Sequence, residues 1–136
     1  MKAYLLTCIS FVLFLLVTSC EEKVIDPGFG LGREFGMEVN KLYTSEDGQY
    51  SVIINEVTDS RCAEAAQCLW QGEVTIKGEW TANGNKAPFE IHSVLAQMNK
   101  QPEGYLIQIV DARPYPVLES DRKPEELIIG LLVKKN

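Results

Sequence analysis

The sequence predicts an all-β domain: a small antiparallel β-sandwich or barrel with one disulfide inside a loop, preceded by a signal peptide and a flexible tether. Three observations lead there. Beyond residue 36, apolar and polar residues alternate with period two, and no long segment shows a convincing helical period. Turn residues punctuate the alternation, with Asp47-Gly48 and Asn83-Gly84 suited to positive φ. Six or more short strands result, none joined by a segment long enough for a crossover helix, so the pairing is antiparallel.

The chain begins with Lys2, an almost unbroken apolar run from Leu5 to Val17, and small residues before Cys20. A charged start, an apolar centre and small residues at the cut describe a secretory signal peptide over 1–19. The run is shorter than the roughly 20 residues a membrane-crossing helix needs. Val17-Thr18-Ser19-Cys20 resembles the lipobox of bacterial lipoproteins, which implies that the Cys20 thiol takes a diacylglycerol and its freed amine an acyl chain. Several chains anchor a protein stably where one holds it only marginally. Trimming removes one cation, Lys2, leaving 12 basic and 19 acidic side chains, a net of −7. Acidic charge without a Lys/Arg block argues against nucleic acid and against a polybasic membrane patch.

Residues 20–35, rich in glycine, read as the lipidated tether, and 36–136 as the domain. Within it, 37–44 is a mediocre first strand and 50–57 a stronger, β-branched one. From Trp70 to Trp80 the alternation is unbroken: Trp70, Gly72, Val74, Ile76, Gly78 and Trp80 share one face, and Glu73, Thr75, Lys77 and Glu79 the other. Residues 88–95 form the hairpin partner, with Phe89 and Ile91 inward. Residues 105–112 follow, closed off by Pro114 and Pro116, which donate no ladder bond. The last strand, 127–135, is apolar on both faces and belongs in the middle of a sheet or between two layers.

Of four cysteines, Cys8 leaves with the signal and Cys20 is the lipid site, so Cys62 and Cys68 remain. In an oxidising compartment the favoured reading is a structural disulfide, worth about 2 kcal/mol for so short a ring. The alternatives are a redox pair and half a metal site. Cys-x5-Cys is wider than the usual redox spacing, and with His92 the only histidine a zinc site lacks ligands.

The residues Asp59-Ser60-Arg61-Cys62, followed by Cys68-Leu69-Trp70-Gln71-Gly72, resemble a set of small, largely uncharacterised Gram-negative lipoproteins with the pattern D-S-R-C-P-x4-C-x-W-x-G. Arg113-Pro114-Tyr115-Pro116 looks like their Pro-Tyr-Pro, and Ala63 departs from their usual proline. The resemblance implies an all-β lipoprotein domain with that disulfide, and no activity. In the motif, Trp70 is positioned to cover the disulfide and close one end of the core. Asp59 and Arg61 share a side by parity and suit an ion pair or loop caps, while Gly72 permits a close approach. The rival reading makes Asp59, Arg61, Glu64 and Trp70 an exposed interaction loop.

The other candidates have plainer readings. His92 lies on the wet face beside Glu90 and reads as solvated. Residues 28–32, GFGLG, lack the lysine of a phosphate loop and read as linker. Acidic clusters lack calcium-loop spacing. Trp80, Tyr105 and Tyr115 suit either a ligand groove or the core. The functional expectation is a non-catalytic binding module without cofactor or metal. It is held by its N-terminal lipid to the cell envelope, at the outer membrane, facing periplasm or surface. Its partner would be an envelope protein or glycan. The alternative is an inhibitor presenting the 59–72 loop to an exported enzyme, and the least favoured is a thiol-redox or other enzyme.

Overall fold

The computed structural model describes residues 28–118 and 123–136; the expected signal peptide, Cys20 and the first part of the tether lie outside them. Seven strands form: β1 (Glu34–Glu38), β2 (Leu42–Thr44), β3 (Tyr50–Asp59), β4 (Val74–Ala82), β5 (Asn85–His92), β6 (Tyr105–Arg113) and β7 (Ile128–Lys135). They make two antiparallel sheets, β1-β7-β6 and β2-β3-β4-β5, which face each other across one apolar core as a β-sandwich. β7 is the central strand of its sheet, as its two apolar faces require.

The segment read as one strand over 37–44 is two strands on different sheets. Asn40 takes a left-handed φ of +62° between them and donates its N–H to the Ile54 carbonyl at 2.7 Å. Asparagine tolerates that conformation, so the chain turns off β7 and joins β3.

Bulges set which residues reach the core. In β3 the register slips between Ile54 and Glu56, so Val52 and Ile54 point inward, and then Val57. In β6 a slip between Ile109 and Asp111 does the same for Ile107 and then Ala112. Strict alternation would have turned each strand's far end outward. In β4 the inward row Val74, Ile76, Gly78, Trp80 is intact. Gly78 is there because the Phe89 ring and the Ile53 carbonyl fill the space of a side chain: a Cβ would lie 2.6 Å from the ring and 2.1 Å from the oxygen.

The domain begins before residue 36. Phe29 is 2% exposed, stacks on Phe35 at 4.5 Å and tilts against Trp80 at 5.9 Å; its carbonyl accepts the Glu46 N–H. Leu31 and Phe35 also pack on the core. Phe29, Leu31 and Phe35 keep period two, but interleaved glycines make that stretch look like linker. The tether therefore ends at the proximal pole of the sandwich, where Tyr50, Trp80 and Tyr105 cluster. The β3–β4 connection, with both cysteines, lies at the opposite pole.

The exposed edge of β6 is closed by a side chain. The Gln101 amide donates to the Ile107 carbonyl and accepts its N–H, both at 2.8 Å, in the manner of a neighbouring strand. On β5, Lys100 bridges backbone to backbone with Glu90.

Two substitutions test this packing. Phe29→Ala will cost about 3 kcal/mol, read by urea denaturation, whereas an unchanged midpoint would return residue 29 to the tether. Gly78→Ala will cost about 2–3 kcal/mol, because backbone and ring must both give way.

Candidate functional site

The β3–β4 connection is built outward from a buried ion pair. Asp59, last in β3, and Arg61 have side chains only 5% and 11% exposed. Arg61 Nε donates to Asp59 Oδ1 at 2.8 Å and Nη2 to Oδ2 at 2.7 Å, a two-pronged pair, and the Arg61 N–H also donates to Oδ1. The remaining donors cross to the other sheet: Nη1 reaches the Ala112 carbonyl at 2.6 Å and Nη2 the Pro114 carbonyl at 3.3 Å. The guanidinium lies 4.7 Å over the Tyr115 ring. The hydrogen bonds to Asp59 hold Arg61 above its ordinary pKa, against the opposing effect of burial.

Above the pair the chain continues as a narrow ladder. Ser60 N–H donates to the Glu73 carbonyl and Cys62 N–H to the Gln71 carbonyl, each at 2.9 Å. Gly72 sits between them at φ +69°, so close to Ser60 that a Cβ would lie 1.8 Å from its carbonyl oxygen. Only glycine fits both conditions. Cys62 and Cys68 form the expected disulfide, S–S 2.05 Å. The loop is also fixed from outside: the Glu64 N–H donates to the Pro116 carbonyl at 3.0 Å, and Glu64 forms a parallel bridge with Val117. The Pro-Tyr-Pro segment is thus the seat of the stapled loop. Within the ring the chain turns at Ala65, at φ +63°.

Trp70 corrects the sequence reading. It is 52% exposed and outside the core. β4 begins at Val74, and the left-handed Gly72 breaks the alternation that had placed Trp70 with Val74 and Ile76. Leu69 projects fully, at 111%. Asp59 and Arg61, candidates for an exposed loop, are instead its internal fastening; Glu64, whose side chain faces solvent, and Trp70 remain on the surface.

His92 is not solvated. Its side chain is 9% exposed, with Nδ1 3.1 Å from Glu73 Oε1 and 3.2 Å from Thr75 Oγ1, and Nε2 3.7 Å from Glu90 Oε1. Thr75 stands beside His92 in the β4–β5 register, and Glu73 closes over both. A nucleophile–base–acid relay needs hydroxyl and carboxylate on different ring nitrogens. Here Thr75 and Glu73 share Nδ1, and the Glu90 carboxylate at Nε2 lies beyond hydrogen-bond distance. Glu73 also accepts the N–H groups of Leu95 (3.1 Å) and Val94 (3.4 Å). Burial pushes its carboxyl up, but those amides and His92 outweigh it and leave the pKa below the usual 4.5. Glu73 thereby joins the stapled loop to the loop after β5. Parity assigned Glu73 only to the wet face; the β4–β5 register brings it diagonally over His92.

Elsewhere, a depression of ≈ 270 Å³ on the outer face of the three-stranded sheet has Gly36 and Gly130, paired across strands, in its lining. Of its charged residues Glu34, Asp111 and Arg113, the last two bind each other. Among the described residues no group of three or more His, Cys, Asp or Glu is placed to hold a metal ion. Comparison of the chain with protein-family models, curated proteins and solved structures finds no match.

Two measurements probe the fastening. Asp59→Asn strands a buried cation and will destabilise the domain by about 3 kcal/mol, while Asp59→Asn with Arg61→Met will cost less than the two single changes summed. Because Glu73 titrates lower when folded, its stabilisation is complete above pH 4.5 and is lost as pH falls through the folded value. Thermal melts will show the gap between the wild-type chain and Glu73→Gln closing with acid; a constant gap would assign the titration to another group.

Proposed function

We propose that this chain is a lipid-anchored, non-catalytic binding module of a bacterial cell envelope, and that the stapled β3–β4 loop is its contact surface. The observation that supports this most directly is the pairing of Leu69 and Trp70, both held out in water, with a loop that has little freedom left to lose. Large apolar side chains exposed side by side on a fixed loop are costly unless something covers them, and tryptophan is enriched at binding hot spots. A loop already ordered by a disulfide, an ion pair and a backbone bridge loses little entropy on association. The export and anchoring part of the reading rests on the lipobox-like residues before Cys20 and on the resemblance of residues 59–72 to Gram-negative lipoproteins.

The projection of Leu69 also favours a second reading, an inhibitor that inserts this loop into the cleft of an exported enzyme. In both readings the contact residues are Leu69, Trp70 and Glu64, because Arg61 and Asp59 are consumed within the fold.

The test is a double change, Leu69→Ser with Trp70→Ser. It will leave the melting temperature within a few degrees of wild type, since Leu69 is fully exposed and Trp70 lies outside the core, and will remove the envelope component retained by the wild-type chain. A weakening of about 30-fold or more corresponds to a hot-spot pair. Unchanged retention would exclude the loop.

A further inference from the structure

The base and the tip of the loop are held differently. The base is fixed without the crosslink: Asp59 and Arg61 pair beneath it, the Cys62 N–H meets the Gln71 carbonyl, and the Glu64 N–H meets the Pro116 carbonyl. At the tip, among the described residues, Gln67, Cys68, Leu69 and Trp70 form no hydrogen bond. Across the stretch between Ala66 and Gln71 the cross-chain bond is therefore Cys62–Cys68. Leu69 and Trp70, the exposed large apolar side chains of the loop, both lie in that stretch.

The closed ring also contains a strained turn. The Ala66 N–H bonds to the Ala63 carbonyl at 3.1 Å, which makes Ala65 the third residue of a four-residue turn, and its φ is +63°. Glycine ordinarily fills such a position, because a Cβ is crowded in the left-handed region. A side chain persists there only while its surroundings hold it. Opening the ring withdraws one of those holds.

The two sulfurs are unequal. Cys68 is exposed and open to an incoming thiolate, whereas Cys62 is half-buried, with its Sγ 3.7 Å from the carbonyl oxygens of Ala63 and Ala66. Either oxygen is placed to accept the hydrogen of a Cys62 thiol, so the reduced sulfur finds a partner where it already stands.

Resting on the contact-surface reading above, we propose that Cys62–Cys68 is a redox switch on the presentation of Leu69 and Trp70, operated by an exported dithiol donor. A donor thiolate attacks Cys68 Sγ and forms a mixed disulfide as the Cys62–Cys68 bond breaks; the electron pair leaves on Cys62 Sγ, which takes a proton. The donor's second thiolate then displaces Cys68, whose sulfur takes the second proton. The donor ends as a disulfide and the loop as two thiols. Ala65 leaves the left-handed region and the tip loses its fixed form, while the base keeps its bonds and the domain stays folded. A tip that must be ordered again on association binds more weakly.

The experiment uses the full chain, in which Trp80 is buried and Trp70 is the exposed indole. In reduced dithiothreitol without denaturant, alkylation will map to Cys62 and Cys68 while the thermal melt stays cooperative. Alkylation that requires unfolding in urea overturns the switch and leaves the contact reading standing. Trp70 anisotropy, taken as the difference from Trp70→Phe, will fall when the ring opens; an unchanged value overturns the proposal. Ala65→Gly relieves only the closed ring and will move the dithiothreitol equilibrium severalfold toward the disulfide. An equilibrium that stays put means the turn does not relax, and this too overturns it. Cys62→Ser with Cys68→Ser, an open ring at any potential, will weaken retention of the envelope component about tenfold. If that variant retains the component fully while Leu69→Ser with Trp70→Ser loses it, the switch falls alone. If both retain it, the contact reading and the switch fall together.

Discussion

Arg61 joins the two sheets. Its guanidinium is gripped by Asp59 at the end of β3 and delivers its other donors to the Ala112 and Pro114 carbonyls at the end of β6, so one cation holds both halves of the sandwich at one pole. The arrangement is tolerable in a nearly dry place because the Asp59 carboxylate balances the charge and carbonyls take up the spare N–H groups. The stapled loop stands on this joint. Its disulfide closes only the tip, and without the ion pair below, that tip would be a stiff ring on a loose base.

Several features share that base. Ser60 and Glu73 exchange bonds on one side of the loop, while Pro116 takes the Glu64 N–H on the other. Glu73 then reaches the loop after β5 through Val94, Leu95 and His92. Three connections distant in sequence are thus locked into one polar collar under a mostly apolar tip. Those polar groups satisfy one another, and the large apolar side chains that the loop holds out in water are Leu69 and Trp70.

Much of this architecture was legible in the chain. Alternation and turn signals located strands near 50–57, 88–95, 105–112 and 127–135, and β7 was placed centrally because both of its faces are apolar. The crosslink followed from counting thiols, and the Asp59–Arg61 pair from parity. What stayed hidden depended on backbone conformation or on distant chain. The positive φ at Asn40 splits one apparent strand between two sheets, and that at Gly72 turns Trp70 out of the core. Glycines between Phe29, Leu31 and Phe35 disguised a packed segment as linker. His92 looked solvated because its neighbours across the strand pair, Thr75 opposite and Glu73 diagonal to it, are set by the β4–β5 register.

The closure of β6 by Gln101 bears on how such molecules behave in company. A bare strand rim is a template on which identical chains can stack into fibrils, a hazard that grows when copies are confined to two dimensions. By lending its amide as a mock neighbour, a single glutamine removes one docking register without the bulk of another strand. Crowded copies can then jostle sideways without zipping together along that rim.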